Sequence, residues 1–268
     1  MKLSALTRIS LRTVALGYLF ALLLLPLLII LWRTFGQGIG AFIDWITTPA
    51  AISAFQLSLL IVVIVVPINV VFGVVTALAL VRGKFPGRTL VQGMVDLPFA
   101  VSPVVVGVSL ILLWGAGGWF GGLEDLGLKI IFSLPGMVIA TIFVTLPFVV
   151  REVEPVLHEI GDDQEQAAAT LGASGWQTFW RITLPAIRWG LTYGVVLTVA
   201  RALGEFGAVI MVSSALPGES LTLTLLVHRR YINDHNTFGA YCAATLLMGM
   251  ALLTLLLMTL LERKRSAK

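Results

Sequence analysis

Six apolar stretches dominate the sequence, at roughly 14–32, 55–81, 94–114, 132–150, 189–213 and 240–261. A helix that crosses the hydrocarbon core of a bilayer needs about 20 mostly apolar residues. Only 12% of the 268 residues are charged, whereas about a quarter are charged in a typical soluble domain. The sequence therefore predicts an all-α integral membrane protein with six transmembrane helices.

The first apolar stretch follows basic residues, as the core of a cleaved signal peptide also does. Its apolar run is too long for a signal peptide, and it ends at Trp32 and Arg33 rather than at a small-residue cleavage site. We therefore expect this stretch to remain in the protein as the first transmembrane helix.

The Lys and Arg residues are distributed unevenly between the loops. With a cytoplasmic amino terminus, 13 of the 18 lie in cytoplasmic segments, 4 lie in outer loops and Arg201 lies within a span. The cytoplasmic set is Lys2, Arg8, Arg12, Arg82, Lys84, Arg88, Arg151, Arg181, Arg188, Arg263, Lys264, Arg265 and Lys268. Cytoplasmic loops are enriched in Lys and Arg. Both termini and the loop of about 151–188 are thus predicted to be cytoplasmic. A net charge of +4 could suggest a nucleic-acid partner, but in a membrane protein the location of the charges matters more, and no nucleic-acid partner is predicted.

Motifs for catalysis and nucleotide binding are absent from the sequence. It contains no G-x-x-x-x-G-K-[ST] phosphate-binding loop and no G-x-S-x-G nucleophile turn. Its three His residues lack metal-ligand spacing, and Cys242 is the single cysteine. We therefore predict a chain that is not an enzyme, has no catalytic residue and binds no metal or cofactor of its own.

The predicted cytoplasmic loop carries the pattern of two short helices. Asp162 and Glu165 have the spacing of a capping box at a helix start, and good helix formers follow as far as Leu171. Gly172 suits the left-handed residue that ends a helix. The alanines of this first helix, Ala167 and Ala168 among them, give it a small, smooth surface.

A second short helix is predicted over 176–182. Ser174 and Gln177 have the spacing of another capping box, and Pro185 is expected to stop this helix before the fifth span. A solvated linker has no need to define both ends of two helices. The loop is therefore interpreted as a docking element for another protein.

The loop also resembles the E-A-A…G…I-x-L-P motif in permeases of binding-protein-dependent ABC importers of type I. The matching residues are Gln166, Ala167, Ala168, Gly172, Ile182, Leu184 and Pro185. Gln166 stands where the family usually has glutamate, and Glu165 precedes it directly. The resemblance implies a coupling helix that docks in a cleft of a cytoplasmic ATPase. The implied coupling residues are Glu165, Gln166, Ala167, Ala168, Leu171, Gly172, Ile182, Leu184 and Pro185.

Four further segments, 80–88, 96–105, 146–152 and 200–208, resemble the sulfate/thiosulfate permease group and within it the CysW type. The resemblance implies one permease domain over 1–268 in a bacterial cell membrane. It also implies three kinds of partner: an ATPase dimer that holds ATP and Mg, a second, non-identical permease subunit, and an extracytoplasmic sulfate-binding protein.

Three alternatives stay open at this point. Molybdate permeases share parts of the same pattern, so the oxyanion is the less specific part of the prediction. A secondary anion transporter driven by an ion gradient is a second possibility, and a membrane scaffold or membrane enzyme that transports nothing is a third.

Polar groups inside the predicted spans allow two interpretations each. Arg201 and Glu205 are four residues apart and therefore on one face of a helix. Either they line a translocation pathway together with Ser102 and Pro103, or they fix helix packing by neutralising one another or by pairing with the partner subunit. Five hydroxyls either bind a passing anion or bond to their own helix: Ser102, Ser109, Thr198, Ser213 and Ser214. Outside the spans, Arg229 and Arg230 either contact an acidic rim of a substrate-binding protein, attract anions, or form a solvated surface pair.

Overall fold

The computed structural model describes the backbone of residues 5–266 and the side chains of residues 10–124 and 126–260. The basic residues Lys2, Arg8, Arg263, Lys264, Arg265 and Lys268 have side chains outside these ranges. No strand occurs among residues 5–266. Five helical segments among the described residues are long and apolar enough to cross a membrane, and there are six such segments when a bent pair of helices is counted as one span. The predicted all-α fold with six spans is confirmed.

The first span is an apolar rod that contains a π turn. Helices α1 (Ala5–Leu19) and α2 (Leu25–Phe35) are joined by the π turn Phe20–Leu24, and Pro26 lies in the first turn of α2. A proline ring lacks an N–H and clashes with the carbonyl four residues earlier. The wider π turn accommodates this proline without ending the helix.

The remaining helices are α3 (Ile39–Ile46), α4 (Pro49–Arg82), α5 (Arg88–Ala100), α6 (Pro103–Trp114), α7 (Gly122–Asp125), α8 (Leu134–Ile160), α9 (Asp163–Thr170), α10 (Gly175–Thr178), α11 (Leu184–Leu203), α12 (Gly207–Val212), α13 (Leu223–His228) and α14 (Thr237–Ser266). The π turn Phe179–Thr183 joins α10 to α11, and the π turn Arg229–Asn233 follows α13. The second, fourth and sixth spans are α4, α8 and α14.

The third span is not the continuous helix that hydropathy predicts over 94–114. Helix α5 ends at Ala100, α6 begins at Pro103, and the two helices are bent by 112°. Proline disfavours helical backbone at the residue before it, and Ser102 is accordingly extended, with ψ of 134°. The crossing is therefore made by two short helices with a sharp corner between them.

The fifth span is also interrupted, although one helix over 189–213 was predicted. Helix α11 ends at Leu203, and α12 begins only at Gly207. Glu205 lies in the gap, and its Oε1 accepts a hydrogen bond from the Ala208 N–H at 2.8 Å. This carboxylate satisfies one of the free N–H groups at the start of α12, so the break is stabilised by a helix cap.

Helix α8 lies at the centre of the fold, with α4 and α11 packed against it. A Cβ atom on Gly73 of α4 would lie 2.6 Å from Val149 Cβ, and one on Gly194 of α11 would lie 3.0 Å from Val149 Cα. Glycine therefore permits the close helix approach that is common in membranes. Between α4 and α8, the buried Asn69 side chain donates to Thr145 Oγ1 at 2.6 Å.

Contacts between loops sort them into two ends, as alternating crossings require. At one end, the Arg82 side chain after the second span donates to the Gly161 carbonyl after the fourth span at 2.5 Å. At the other end, Gly239 at the start of the sixth span lies against the indole of Trp45 in α3. The first end holds the loops that the charge distribution predicts to be cytoplasmic.

Candidate functional site

The loop between the fourth and fifth spans contains two short helices, as predicted. Its first residues continue α8, and α9 then ends at Thr170, two residues before Gly172, which has a φ of +85°. The Gly172 N–H donates to the Ala169 carbonyl and the Ala173 N–H donates to the Ala168 carbonyl, each at 3.0 Å. These two bonds form a Schellman motif. The predicted left-handed glycine at the end of the first helix is confirmed.

The second short helix begins as predicted but does not end where predicted. The Gln177 N–H donates to Ser174 Oγ at 3.3 Å, and the Ser174 N–H donates to Gln177 Oε1 at 2.9 Å, which confirms the capping box. The helix then continues without interruption as Gly175–Leu203. The prediction that Pro185 stops the helix is therefore wrong. The π turn before Pro185 accommodates its ring, as the π turn Phe20–Leu24 does for Pro26.

The capping box predicted for Asp162 and Glu165 is also wrong. Asp162 makes no side-chain cap. Glu165 instead turns toward the membrane spans, where Oε2 accepts from Arg82 Nε at 3.0 Å and Oε1 accepts from Thr183 Oγ1 at 2.8 Å. A guanidinium and a hydroxyl offer the carboxylate stronger partners than a single backbone N–H at the helix start.

Three large apolar side chains of the loop are exposed. Leu171 is 89% exposed, Trp176 is 70% exposed and Trp180 is 50% exposed. The rings of Trp176 and Trp180 pack edge to face, with centroids 5.5 Å apart. Gln166 and Ala167 are also exposed. We call these five residues the exposed loop surface, and large exposed apolar patches mark interaction sites.

The two tryptophans were not among the sequence-predicted site residues. Two tryptophans in a loop that otherwise favours water were a sequence clue to this surface. Of the other predicted coupling residues, Ala168, Ile182 and Leu184 are half-buried, and Leu184 packs against the core around α8. The predicted set therefore contains residues that face outward and residues that anchor the loop.

Arg201 and Glu205 meet at the break in the fifth span. Arg201 Nη1 lies 2.6 Å from Glu205 Oε2, and the Glu205 side chain is 1% exposed while that of Arg201 is 33% exposed. They were predicted to share one helical face, but only Arg201 lies in α11; Glu205 lies in the gap between α11 and α12. The contact neutralises a buried carboxylate, as one of the two interpretations expected.

Ser102 and Pro103 lie next to the same break. A Cβ atom on Gly207, the first residue of α12, would lie 3.0 Å from Pro103 Cβ at the start of α6. The corner of the third span thus adjoins the break in the fifth. The four residues predicted for the pathway gather around these two helix interruptions, and the structure alone assigns them no substrate.

Most of the candidate hydroxyls bond within the protein. Ser109 Oγ and Thr198 Oγ1 donate to carbonyls four residues earlier in their own helices, at 2.9 and 2.7 Å. Ser213 and Ser214 bond to Ser220 in the loop after α12. The Ser102 side chain makes no hydrogen bond within the part of the chain that the structure describes, and Ser102 is exposed.

Arg229 and Arg230, the predicted outer pair, both make contacts within the protein. Arg230 Nη1 donates to Asp234 Oδ2 at 3.0 Å, and Arg229 Nε lies 3.9 Å from the other oxygen of that carboxylate. Arg229 Nη1 also donates to the Ala215 carbonyl at 3.1 Å. Both side chains are about one-third exposed, so they stabilise the outer loops and are only partly solvated.

The sequence matches a family model described as binding-protein-dependent transport system inner membrane component, over residues 69–267. It is 50% identical over 251 residues to the sulfate transport system permease protein CysW of Synechocystis, a match that covers 93% of this chain and 91% of the relative. It is 48% identical over 242 residues to the protein of that name in Escherichia coli K12, covering 90% of this chain and 83% of the relative.

A solved structure shares the same fold. It is a bacterial alginate ABC transporter in complex with an alginate pentasaccharide-bound periplasmic protein, and the superposition has a TM-score of 0.80 at 18% sequence identity. The match covers 97% of this chain and 94% of that chain. The family match extends over most of this sequence, including every span from the third onward. The chain therefore belongs to the family of binding-protein-dependent transport system inner membrane components, as a multi-pass protein of the inner membrane.

Proposed function

We propose that this chain is the permease subunit of an ATP-driven importer that carries sulfate or thiosulfate into the cytoplasm. The observation that carries the proposal is the identity of 50% over 93% of the chain to a relative named as a sulfate transport permease. A resemblance of this extent involves the helices around the two breaks as well as the cytoplasmic loop. The chain itself carries out no covalent chemistry.

The exposed loop surface is the proposed docking site for a cytoplasmic ATPase. Leu171, Trp176 and Trp180 supply apolar area, and aromatic side chains are enriched where proteins dock. Gln166 and Ala167 of α9 are exposed and uncharged, and they add to the surface offered to the ATPase. The Schellman motif after α9 and the capping box at the start of α10 fix the backbone between the two helices, which lowers the entropy lost on docking.

Motion of the docked loop is proposed to reach the pathway through α10 and α11. The helix Gly175–Leu203 runs without interruption from the loop to the Arg201–Glu205 pair. When ATP closes the ATPase dimer, the loop moves and the helix carries that displacement to the break in the fifth span. The binding site for the anion then opens to the outside, and ATP hydrolysis restores the inward-facing state.

The proposed assembly contains three kinds of partner besides the anion. A cytoplasmic ATPase dimer binds ATP and Mg, while this chain binds no cofactor. A second, homologous but non-identical permease subunit completes the pathway, and an extracytoplasmic binding protein delivers the anion. At the break, Arg201 and the free Ser102 hydroxyl are the groups proposed to meet that anion, with Glu205 and Pro103 holding them in place.

Transport by the reconstituted complex tests the proposal. Proteoliposomes that contain this chain, its partner permease and the ATPase would receive the binding protein and radiolabelled sulfate. We expect uptake that requires internal ATP and is inhibited by thiosulfate. Uptake that is driven by an ion gradient without ATP would refute the importer, and uptake of molybdate but not of sulfate would reassign the substrate.

A further inference from the structure

Helix α9 lies against α10 and the π turn that follows it, and its side-chain hydrogen bonds to other helices come from one residue. None of its residues is buried, so apolar packing holds it only weakly. Within the described part of the chain, Glu165 is the one side chain of α9 that makes hydrogen bonds to other helices. Its two oxygens have different partners, Arg82 and Thr183, which lie on opposite sides of it in sequence.

Arg82 is the fixed point of this attachment. It is the last residue of α4, and its guanidinium also donates to the Leu157 carbonyl at 3.2 Å and the Gly161 carbonyl at 2.5 Å. These carbonyls belong to the end of α8, where helix carbonyls lack partners within the helix. One guanidinium therefore joins the second span, the end of the fourth span and Glu165.

Thr183 is the second attachment. It is the last residue of the π turn that leads into α11, and it is 4% exposed. Its hydroxyl donates to Glu165 Oε1 at 2.8 Å. Because Thr183 is buried, it holds the Glu165 carboxylate that it contacts in one position.

We propose that Glu165 is a positioning residue that transmits movement of α9 to the second and fifth spans at once. The inference rests on the proposed function, since it assumes that a partner moves the loop. It gives Glu165 and Gln166 separate roles. Gln166 is exposed and available to the partner, whereas the Glu165 carboxylate forms an ion pair with Arg82 of its own chain. Loss of the Glu165 contacts would then uncouple ATP hydrolysis from transport without preventing docking.

The test compares two pairs of variants in the complete complex. Glu165→Gln breaks the ion pair with Arg82, and its control is Glu159→Gln, the same change at an exposed residue near the end of α8. Thr183→Val removes the hydroxyl while keeping the shape, and Thr183→Ser restores the hydroxyl. The measurements are sulfate transported per ATP hydrolysed in proteoliposomes and the amount of ATPase that co-purifies.

We expect Glu165→Gln and Thr183→Val to lower the transport per ATP by about tenfold with normal ATPase retention. The control Glu159→Gln should keep the wild-type transport per ATP, and Thr183→Ser should recover most of it. Wild-type transport per ATP in Glu165→Gln would overturn the inference, and so would loss of the ATPase in that variant. If Thr183→Val fails to insert in the membrane, Glu165→Gln alone decides. Failure of the unaltered complex to retain an ATPase would instead refute the proposed function.

Discussion

Gly107 in α6 and Met211 in α12 touch at the contact between the third and fifth spans. A Cβ atom on Gly107 would lie 2.6 Å from Met211 Cβ and 2.8 Å from the Ala208 carbonyl oxygen. Neither atom can move aside freely, because the Ala208 oxygen belongs to the backbone and the Met211 Cβ is bonded directly to it. Glycine at this position therefore allows the two interrupted spans to pack against one another.

Gly107→Ala should separate α6 from α12. Overpacking of this kind costs about 1–3 kcal/mol of unfolding free energy, and thermal unfolding of the purified protein in detergent measures it. Gly249→Ala in α14 is the control, because a Cβ atom there meets nothing within 4 Å. Equal unfolding temperatures for the two variants would contradict the close packing.

Removal of Arg201 should destabilise the protein by leaving a charge without its partner. Glu205 is almost completely buried, and breaking a buried ion pair costs about 3–5 kcal/mol. We expect Arg201→Met to unfold at a much lower temperature than the double variant Arg201→Met/Glu205→Gln, in which no charge is left over. An unfolding temperature of the double variant no higher than that of the single one would argue against the pair.

Sulfate uptake by that double variant separates the two roles of Arg201. One nitrogen of the guanidinium contacts Glu205 while a third of the side chain stays exposed beside the break. We therefore expect the double variant to recover stability and to retain ATPase, yet to take up little sulfate. Full recovery of uptake would mean that neutralising Glu205 is the whole role of Arg201.

Leu171→Glu should weaken ATPase retention without affecting the fold. The side chain is 89% exposed, so its replacement leaves the packing of the isolated chain unchanged. A carboxylate in an apolar contact is expected to weaken docking about tenfold, equivalent to about 1.4 kcal/mol. Leu126→Glu is the control, at a residue that is 77% exposed beyond α7 on the opposite side of the predicted topology. Similar ATPase losses in both variants would locate docking elsewhere.

Gly172→Ala should loosen the end of α9 through its backbone alone. The space around Gly172 is open, but its φ of +85° is unfavourable for residues with a Cβ atom by about 1 kcal/mol. Hydrogen exchange of the α9 amides should become faster, and less so in Gly172→Asn. Gly175→Ala has equal space and no positive φ, so exchange there should stay unchanged. Identical exchange in Gly172→Ala and Gly175→Ala would contradict the strain.

The positions of the spans were predictable because hydropathy reports which residues face lipid, and that property depends on composition alone. The interruptions were harder. The corner at Ser102 follows from Pro103. Other prolines, such as Pro67 and Pro147, lie inside helices that continue past them. Whether a proline breaks or merely bends a helix depends on the packing around it, which a single sequence does not record.

The loop shows the same division between local and distant causes. Ser174 and Gln177 were assigned correctly because both partners lie within one turn. Glu165 was assigned wrongly because its partner Arg82 is 83 residues away, beyond the reach of a spacing rule. Pro185 was assigned wrongly because the preceding π turn lets the helix continue past the proline ring. No sequence motif predicts this π turn.

The unbroken helix Gly175–Leu203 has a mechanical consequence. At 1.5 Å per residue, its 29 residues span about 43 Å. If the end near the break is the pivot, a tilt of about 10° displaces the loop end by about 7 Å, more than one turn of helix. A displacement of several ångström at the loop end thus corresponds to a small rotation of the helix beside Arg201. The length of the helix sets the ratio between the two.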